Sequence, residues 1–303
     1  MSEDGKEADG DFSSYVRSFI SKSRVTWKDI AGLEEAKRIM KETIVLAAIQ
    51  KPESIEPWKG ILLFGPPGTG KTLLASACAG SLGATFFNVR ISGILSKYFG
   101  ESSKIVSTLY DVARNEAPSI VFIDEFDALT TKREGMSEAS RRMLATVLAE
   151  LDGFADKKSD RFVLTLAATN TPWDLDEAVL SRFPRRIYVP LPDREAVNEI
   201  IRIHSRGIDI SRLDLEGIAE ECVRRLYSGR DVKALCQEAV WNMIREVNKI
   251  EELADLPYEE ITRRRLNLRP LEQRDFEEAF KKIKSPLTRK DIERYERWAE
   301  EFG

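Results

Sequence analysis

Between Val25 and about Arg206, short apolar runs alternate with stretches whose apolar residues recur at helical spacing. That alternation is the pattern of an open α/β sheet. The runs predict strands at Ile61–Phe64, Thr85–Val89, Ile120–Ile123, Phe162–Ala168 and Arg186–Val189. Helices are expected between them, at Thr72–Ser81, Lys104–Asn115 and Ser137–Leu151. From about Ile208 no strand run of that quality follows. Ser228-Gly229-Arg230-Asp231 reads as a helix start, with Ser228 as N-cap and Asp231 in the capping-box position. The tail repeats helical spacing at Phe276, Phe280 and Ile283, and again at Ile292, Tyr295, Trp298 and Phe302. Near the start, Phe12, Tyr15, Val16, Phe19 and Ile20 mark one helical face. That helix either docks on the main domain or links it to an upstream module. Three regions are thus expected: an acidic tail and linker helix over 1–24, a large α/β domain over 25–206, and a small helical domain over 207–303.

The first strand runs into Gly65-Pro66-Pro67-Gly68-Thr69-Gly70-Lys71-Thr72, followed by Leu73 and a helix. Glycines let a loop turn its N–H groups inward, and the helix N-terminus adds a positive dipole end where phosphates can sit. In such a loop Lys71 reaches the β- and γ-phosphates of a bound nucleotide and the Thr72 hydroxyl ligates Mg²⁺. Ile120-Val121-Phe122-Ile123 ends in Asp124-Glu125. Two acids at the end of an apolar strand are costly unless they have partners. The cost makes sense if Asp124 faces the metal and Glu125 faces an attacking water. The motif pair therefore points to Mg-dependent ATP hydrolysis, with ATP and Mg²⁺ as the cofactors.

Composition narrows the setting. The chain has 303 residues, 42% hydrophobic and 32% charged, enough for a sizeable core. Its acidic, polar start does not resemble a signal or transit peptide, and no apolar run approaches a membrane span. Cys78, Cys222 and Cys236 lie in apolar-periodic segments and are expected as reduced, buried thiols. With His204 the only histidine, no zinc cluster can be assembled. A net charge of -4 argues against a broad nucleic-acid footprint. A cytoplasmic location is expected.

Further segments, in order, carry a family resemblance. Thr26-Trp27-Lys28-Asp29-Ile30-Ala31-Gly32-Leu33 resembles the adenine-pocket segment of AAA+ ATPases. Ala167-Ala168-Thr169-Asn170 resembles their sensor strand, and Ser181-Arg182-Phe183-Pro184-Arg185-Arg186 their arginine-finger region. With the phosphate loop (Walker A), Asp124-Glu125 (Walker B) and Ile203-His204, these make the chain similar to an AAA+ ATPase from Val25 to Gly303. The subgroup it looks like contains katanin, spastin, fidgetin and the ATPase that disassembles ESCRT-III filaments. The resemblance implies a P-loop NTPase fold, a three-layer sandwich with a parallel sheet followed by a small all-α lid domain. It implies base and ribose contacts from Asp29, Ile30, Ala31 and His204. It also implies phosphate contacts from Pro67, Gly68, Thr69, Gly70, Lys71, Thr72 and Leu73. Asn170 would hold the attacking water or the γ-phosphate. Arg185 and Arg186, with Arg182, would reach the γ-phosphate of a neighbouring protomer. Two positions depart from the pattern. Pro184 stands where many relatives have an acid. Arg230, beside Gly229, stands where this subgroup has a small residue and other AAA+ proteins have a second-sensor arginine.

Lys97-Tyr98-Phe99-Gly100 matches the first pore loop of an AAA+ ring, whose aromatics grip an extended polypeptide, and Arg133 and Glu134 fall in the second. The resemblance thus implies a homo-hexamer that threads protein through its pore. The C-terminal Asp291–Gly303 resembles the terminal helix of the ESCRT-III-disassembling ATPase. The stretch from Ile250 to Arg269 is too short for the β-domain insertion of the eukaryotic form. An archaeal-type relative is expected, acting in cell division and membrane remodelling on ESCRT-III-like filaments, with only indirect membrane contact. The expected chain is an ATPase cassette truncated from its recruitment module. Microtubule severing, general protein unfolding, DNA remodelling and a nucleotide-gated scaffold stay open as alternatives. The acidic balance argues against stable nucleic-acid binding.

Overall fold

The computed structural model describes residues 12–50, 52, 55, 57–97, 101–129, 138–156 and 162–303. It divides into two compact units, Met1–Pro190 with Glu293–Gly303, and Leu191–Ile292.

The first unit is built on a six-stranded sheet. Its strands are β1 (Ile20–Ser21), β2 (Gly60–Phe64), β3 (Thr85–Arg90), β4 (Ser119–Asp124), β5 (Val163–Thr169) and β6 (Arg185–Tyr188), in the order β1-β3-β4-β5-β2-β6. The five long strands are parallel, and β1 is an antiparallel edge on β3. In β2, β4 and β5 every residue but Asp124 is buried. This explains why they read as unbroken apolar runs: a parallel strand covered on both faces has no polar side.

Alternate residues feed two cores. Leu62 and Phe64 face one core, with Val121, Ile123 and Ala167 beside them. It is covered by residues 12–17 (α1), α4 (Ile91–Lys97), α5 (Ser102–Asn115), α6 (Glu138–Asp156), α7 (Glu177–Arg182) and the last turns of the C-terminal helix. Ile61 and Leu63 face the other core, covered by α2 (Glu34–Ala48) and α3 (Lys71–Leu82). The result is a three-layer helix–sheet–helix sandwich.

Helix α1 buries Phe12 and Val16 in the first core, so the N-terminal segment docks on the α/β unit. Ile20, expected on the same helical face, instead pairs with Phe87 in β1. The Asn88 N–H donates to the Phe19 carbonyl at 2.9 Å. The open edge of β3 offers ladder bonds that one more helical turn would not supply.

The second unit is helical: α8 (Arg194–His204), α9 (Leu215–Arg224), α10 (Gly229–Val247), the short α11 (Ile250–Ala254) and α12 (Tyr258–Ile261), and α13 (Gln273–Lys282). Its core joins Val197 and Ile201 of α8 to Ile218, Cys222, Leu235, Ala239 and Phe276. The division therefore falls at Pro190, not at 206, because the buried face of α8 belongs to this core. The other end moves too. α14 (Arg289–Phe302) begins in the second unit's range, but Glu293–Gly303 belongs to the first unit, with Tyr295 and Trp298 in its core.

Side-chain caps start the helices as their sequences require: Asp193 accepts from Ala196 N–H, and Asp214 from Gly217 N–H. Ser228 and Asp231 form the expected capping box. All three cysteines are free and buried, and burial raises each thiol to about 12, so none is reactive at neutral pH. Among the described residues no helix is long and apolar enough to cross a membrane.

One buried ion pair ties the second unit together. Asp275 is only 3% exposed and accepts from Arg269 at 2.7 and 2.8 Å, while also capping Glu272 N–H. Burial pushes its carboxyl up, but the hydrogen bonds from Arg269 and Glu272 outweigh that and hold it below the usual range. Arg269→Ala leaves that carboxylate buried without its cation. The expected loss is about 3–5 kcal/mol in chemical denaturation of the full chain. The wild-type contribution is present above the ordinary carboxylate pKa and is lost as pH falls through the lowered one. A variant whose midpoint stays within error of wild type at pH 7 would show that the pair contributes nothing.

Candidate functional site

The site lies at the C-terminal ends of the parallel strands, where an open α/β sheet places its ligands. β2 ends at Phe64 and the chain turns at Gly65, whose φ is +148°. A β-carbon there would lie 2.3 Å from the Val189 carbonyl oxygen, so only glycine fits between the two backbones. The loop ends at Gly70, the N-cap of α3, with φ +100° and no side-chain cap bond. Thr69, which could have capped, donates its hydroxyl back to the Pro66 carbonyl instead. Gly70 has no side chain with which to cap the first N–H groups of α3.

Lys71 is 7% exposed and donates through Nζ to the carbonyls of Gly65 and Pro66, both at 2.8 Å. A buried ammonium beside an uncapped helix N-terminus is a set of donors only, and it suits a polyphosphate. Pro67, Thr72 and Leu73 are exposed around it, Leu73 to 40%.

Thr72, the second residue of α3, donates its hydroxyl to Asp124 Oδ2 at 3.1 Å. One hydroxyl and one carboxylate fit a Mg²⁺ ion that takes its other oxygens from phosphates and water. Among the described residues no three His, Cys, Asp or Glu side chains converge on a metal, so no all-protein cage competes with that reading. Glu125 stands next, at φ +55°. Its N–H donates to Asp124 Oδ1 at 2.9 Å, and its Oε2 accepts from the Ser92 hydroxyl at 3.1 Å. A left-handed glutamate costs about 1–3 kcal/mol, and such strain collects at functional sites. The Glu125 carboxylate is exposed and Asp124, the last residue of β4, is half-buried.

β5 lies between β2 and β4, which the chain order did not reveal. Asn170 follows its last residue and so sits between the phosphate loop and the two acids. Thr169 donates to Asp127 at 2.8 Å and accepts from Thr171 N–H at 3.0 Å, tying this turn to the segment after Glu125.

The three arginines diverge. Arg182 pairs with Asp152 through Nε and Nη2, the closest contact 2.7 Å. Arg186 turns inward, donating to the Phe302 carbonyl at 2.7 Å and the Leu180 carbonyl at 2.9 Å, and burial lowers its pKa. Arg185, in register with Ile61 on the β2–β6 ladder, is half-buried, and its side chain makes no hydrogen bond among the described residues. After the hydrogen bond from Arg38, the Arg185 charge helps to lower the pKa of Glu35 on α2; Arg186 is engaged because its position on β6 faces its own C-terminal helix.

Asp29 closes a 3-10 turn, accepting from Thr26 N–H and hydroxyl at 2.9 and 2.8 Å, so its carboxylate serves the turn. Ile30 is buried and Ala31 half-buried beside it. In the second unit, His204 ends α8, exposed; partial burial, then Lys233 and Arg206, lower its pKa, which favours the neutral ring. Gly229 and the exposed Arg230 are the first residues of α10. Lys97 ends α4, while Tyr98, Phe99, Arg133 and Glu134 lie outside the described residues.

Sequence reasoning did not single out Ser92, Thr169, Asp127 or Tyr295, which hold these groups from neighbouring elements. Only the three-dimensional neighbourhood distinguishes these three hydroxyls and one carboxylate from ordinary ones.

Comparison with known proteins follows this geometry. The ATPase family associated with various cellular activities (AAA) matches residues 61–191, and the Vps4 C terminal oligomerisation domain matches residues 254–303. The chain is 41% identical over 291 residues to a katanin p60 ATPase-containing subunit, the A1 form of Arabidopsis thaliana, covering 92% of this chain and 55% of that one. It is 41% identical over 317 residues to the A-like 1 form of the same katanin p60 protein in Homo sapiens, covering 99% and 63%. It thus spans between half and two thirds of the length of these relatives. Among solved structures, the FIGL-1 AAA domain in complex with ADP superposes with a TM-score of 0.82 at 35% identity, covering 97% of each chain. A katanin structure described as the basis for katanin self-assembly gives 0.76 at 32% identity, covering 95% and 96%.

Replacing Lys71 by Ala removes the buried cation from the loop while sparing the sheet. A charge-assisted bond of this kind is worth about 1.5–3 kcal/mol, so ATP should bind about 10- to 100-fold more weakly in calorimetric titration. Unchanged affinity in a folded variant would mean that the loop does not hold the phosphates.

Proposed function

We propose that this chain, which belongs to the AAA ATPase family, hydrolyses Mg-ATP at a site completed by a neighbouring copy and uses the cycle to pull on a polypeptide. The observation that carries the reading is the grouping of Lys71, Thr72, Asp124 and Glu125 at one sheet edge, with the Arg185 side chain making no hydrogen bond among the described residues.

Lys71 and the N–H groups of α3 would bind and orient the phosphates, and Thr72 and Asp124 would hold Mg²⁺ between them. The ion, when bound, neutralises charge on the phosphoryl group being transferred. Glu125, aimed by Ser92 and by its own backbone conformation, would take the proton of the attacking water. Asn170 would hold that water or the γ-phosphate by hydrogen bonds. Arg185 of the adjacent copy would stabilise the developing charge, which makes turnover depend on assembly. The oligomerisation-domain match and the self-assembling katanin neighbour support an oligomer, and a hexamer is the form the pore reading needs.

The katanin relatives favour a severing-type ATPase acting on a cytoskeletal polymer over disassembly of ESCRT-III-like filaments, the use expected first from the C-terminal sequence. Filament disassembly keeps the support of the match over residues 254–303. The archaeal origin, cell-division role and membrane remodelling drew no support from the relatives. A cytoplasmic setting is in keeping with three free, buried thiols.

Three measurements test the proposal. Glu125→Gln should retain ATP but turn over about 10²–10⁴ times more slowly. Arg185→Ala should be nearly inactive alone and regain activity when mixed with Glu125→Gln chains, which supply the missing arginine; no recovery would count against a site shared between copies. The substrate is distinguished by adding polymerised tubulin or an ESCRT-III-like filament to the wild-type chain. Stimulated ATPase with loss of polymer should follow from the first, and the reverse preference would restore filament disassembly.

A further inference from the structure

One face of the C-terminal helix reaches the strand before the phosphate loop, Arg186 and the turn at Asn170. Tyr295, Trp298 and Phe302 recur at helical spacing and all belong to the first unit. The Trp298 ring meets Phe64, the residue before Gly65, edge-on at 4.5 Å between centroids. The Phe302 carbonyl accepts from Arg186. The Tyr295 hydroxyl donates to the main-chain carbonyl of Asn170. Tyr295 is 4% exposed, and its ring lies 5.0 Å from Trp173 and 6.4 Å from Tyr188. Arg294 caps the cluster with its guanidinium 3.5 Å over Trp173.

The bond to Asn170 acts on one peptide group. The carbonyl of the Asn170–Thr171 peptide is held by Tyr295, and its N–H is held by Thr169, whose own hydroxyl is anchored on Asp127. A planar peptide tied at both its oxygen and its nitrogen cannot rotate, so the ψ angle of Asn170 is set. With ψ set, the Asn170 backbone is held at the end of β5, and the Cα–Cβ bond from which its side chain departs is held with it. A phenylalanine would fill the same apolar slot between Trp173 and Tyr188. The hydroxyl is therefore surplus to packing, and it donates to the sensor turn.

We infer that Tyr295 is a positioning residue for ATP hydrolysis, which from the C-terminal helix clamps the Asn170–Thr171 peptide and so aims the Asn170 side chain. The inference rests on the proposed role of Asn170 in hydrolysis.

The test uses the full chain and the substitution Tyr295→Phe, which removes one oxygen and keeps the ring contacts. Turnover at saturating ATP should fall about 3- to 10-fold, the worth of one buried hydrogen bond expressed in a rate. KM for ATP, ADP affinity and the sedimentation profile with nucleotide should stay at wild-type values, a split that loosened folding or failed assembly would not give. In an Asn170→Ala background the same substitution should have no further effect, because the two residues act through one element. A Tyr295→Phe rate within twofold of wild type overturns the inference, as does a rate loss that persists undiminished in the Asn170→Ala background. A wild-type rate in Asn170→Ala alone removes the role of Asn170 itself. Asn170 dependence with an unaffected Tyr295→Phe removes only the clamp.

Discussion

The close passage of two backbones at the end of β2 sets the frame for everything chemical in this chain. Val189 N–H donates to the Phe64 carbonyl at 2.8 Å, so β2 and β6 stay paired to the last residue of the strand. The Val189 carbonyl then lies where a side chain on residue 65 would have to be. The chain can continue only as glycine, and it must turn up and over the sheet edge into α3. That turn brings Lys71 and Thr72 back over the ends of the neighbouring strands. Because the long strands are parallel, Asp124, Asn170 and the phosphate loop all emerge at the same edge. Relaxing the one contact would move the loop relative to Asp124, to which the Thr72 hydroxyl donates.

Around that edge, polar groups are held from outside the motifs that supply them. Glu125 adopts a backbone conformation that a glutamate rarely takes, and Ser92 and the Asp124 carboxylate hold it there. Thr169 and Asp127 steady the turn that carries Asn170. Strain and precise hydrogen bonding cost stability, and two deep apolar cores offset that cost. The arginines follow the opposite logic. The side chains of two of the three are hydrogen-bonded within the chain, and that of the third, Arg185, makes no hydrogen bond among the described residues.

The chain leaves the α/β unit at Pro190 and returns to it at Glu293. The returning segment is the C-terminal helix, whose aromatic face joins the core beneath the phosphate-loop strand and the sensor turn. The helical unit is consequently an insertion between two parts of the sheet-bearing unit, and not an appendage after it. Its own core is independently assembled around α8, α9, α10 and α13, and the Arg269–Asp275 pair is internal to it.

What the sequence determined by itself follows from local rules. Apolar runs located β2, β4 and β5 to within a residue or two, since a strand buried on both faces has no polar alternation to blur its ends, and the part-buried β3 and β6 were placed as closely. Ser228 and Asp231 announced the start of α10, because caps act within one turn. The loop at 65–72 and the acids at 124 and 125 were legible because glycines, a lysine and paired carboxylates at that spacing have few other uses. Only the tertiary structure decided that β5 separates β2 from β4, that Ile20 pairs with β3, and that Arg186 turns to its own chain. It alone assigned Tyr295 to the core below the site: the helical spacing of Tyr295, Trp298 and Phe302 specifies an apolar face but not the surface that receives it. Such choices depend on contacts between residues as much as 125 positions apart, as in the bond from Tyr295 to Asn170. A local pattern of apolar and polar residues carries no record of them.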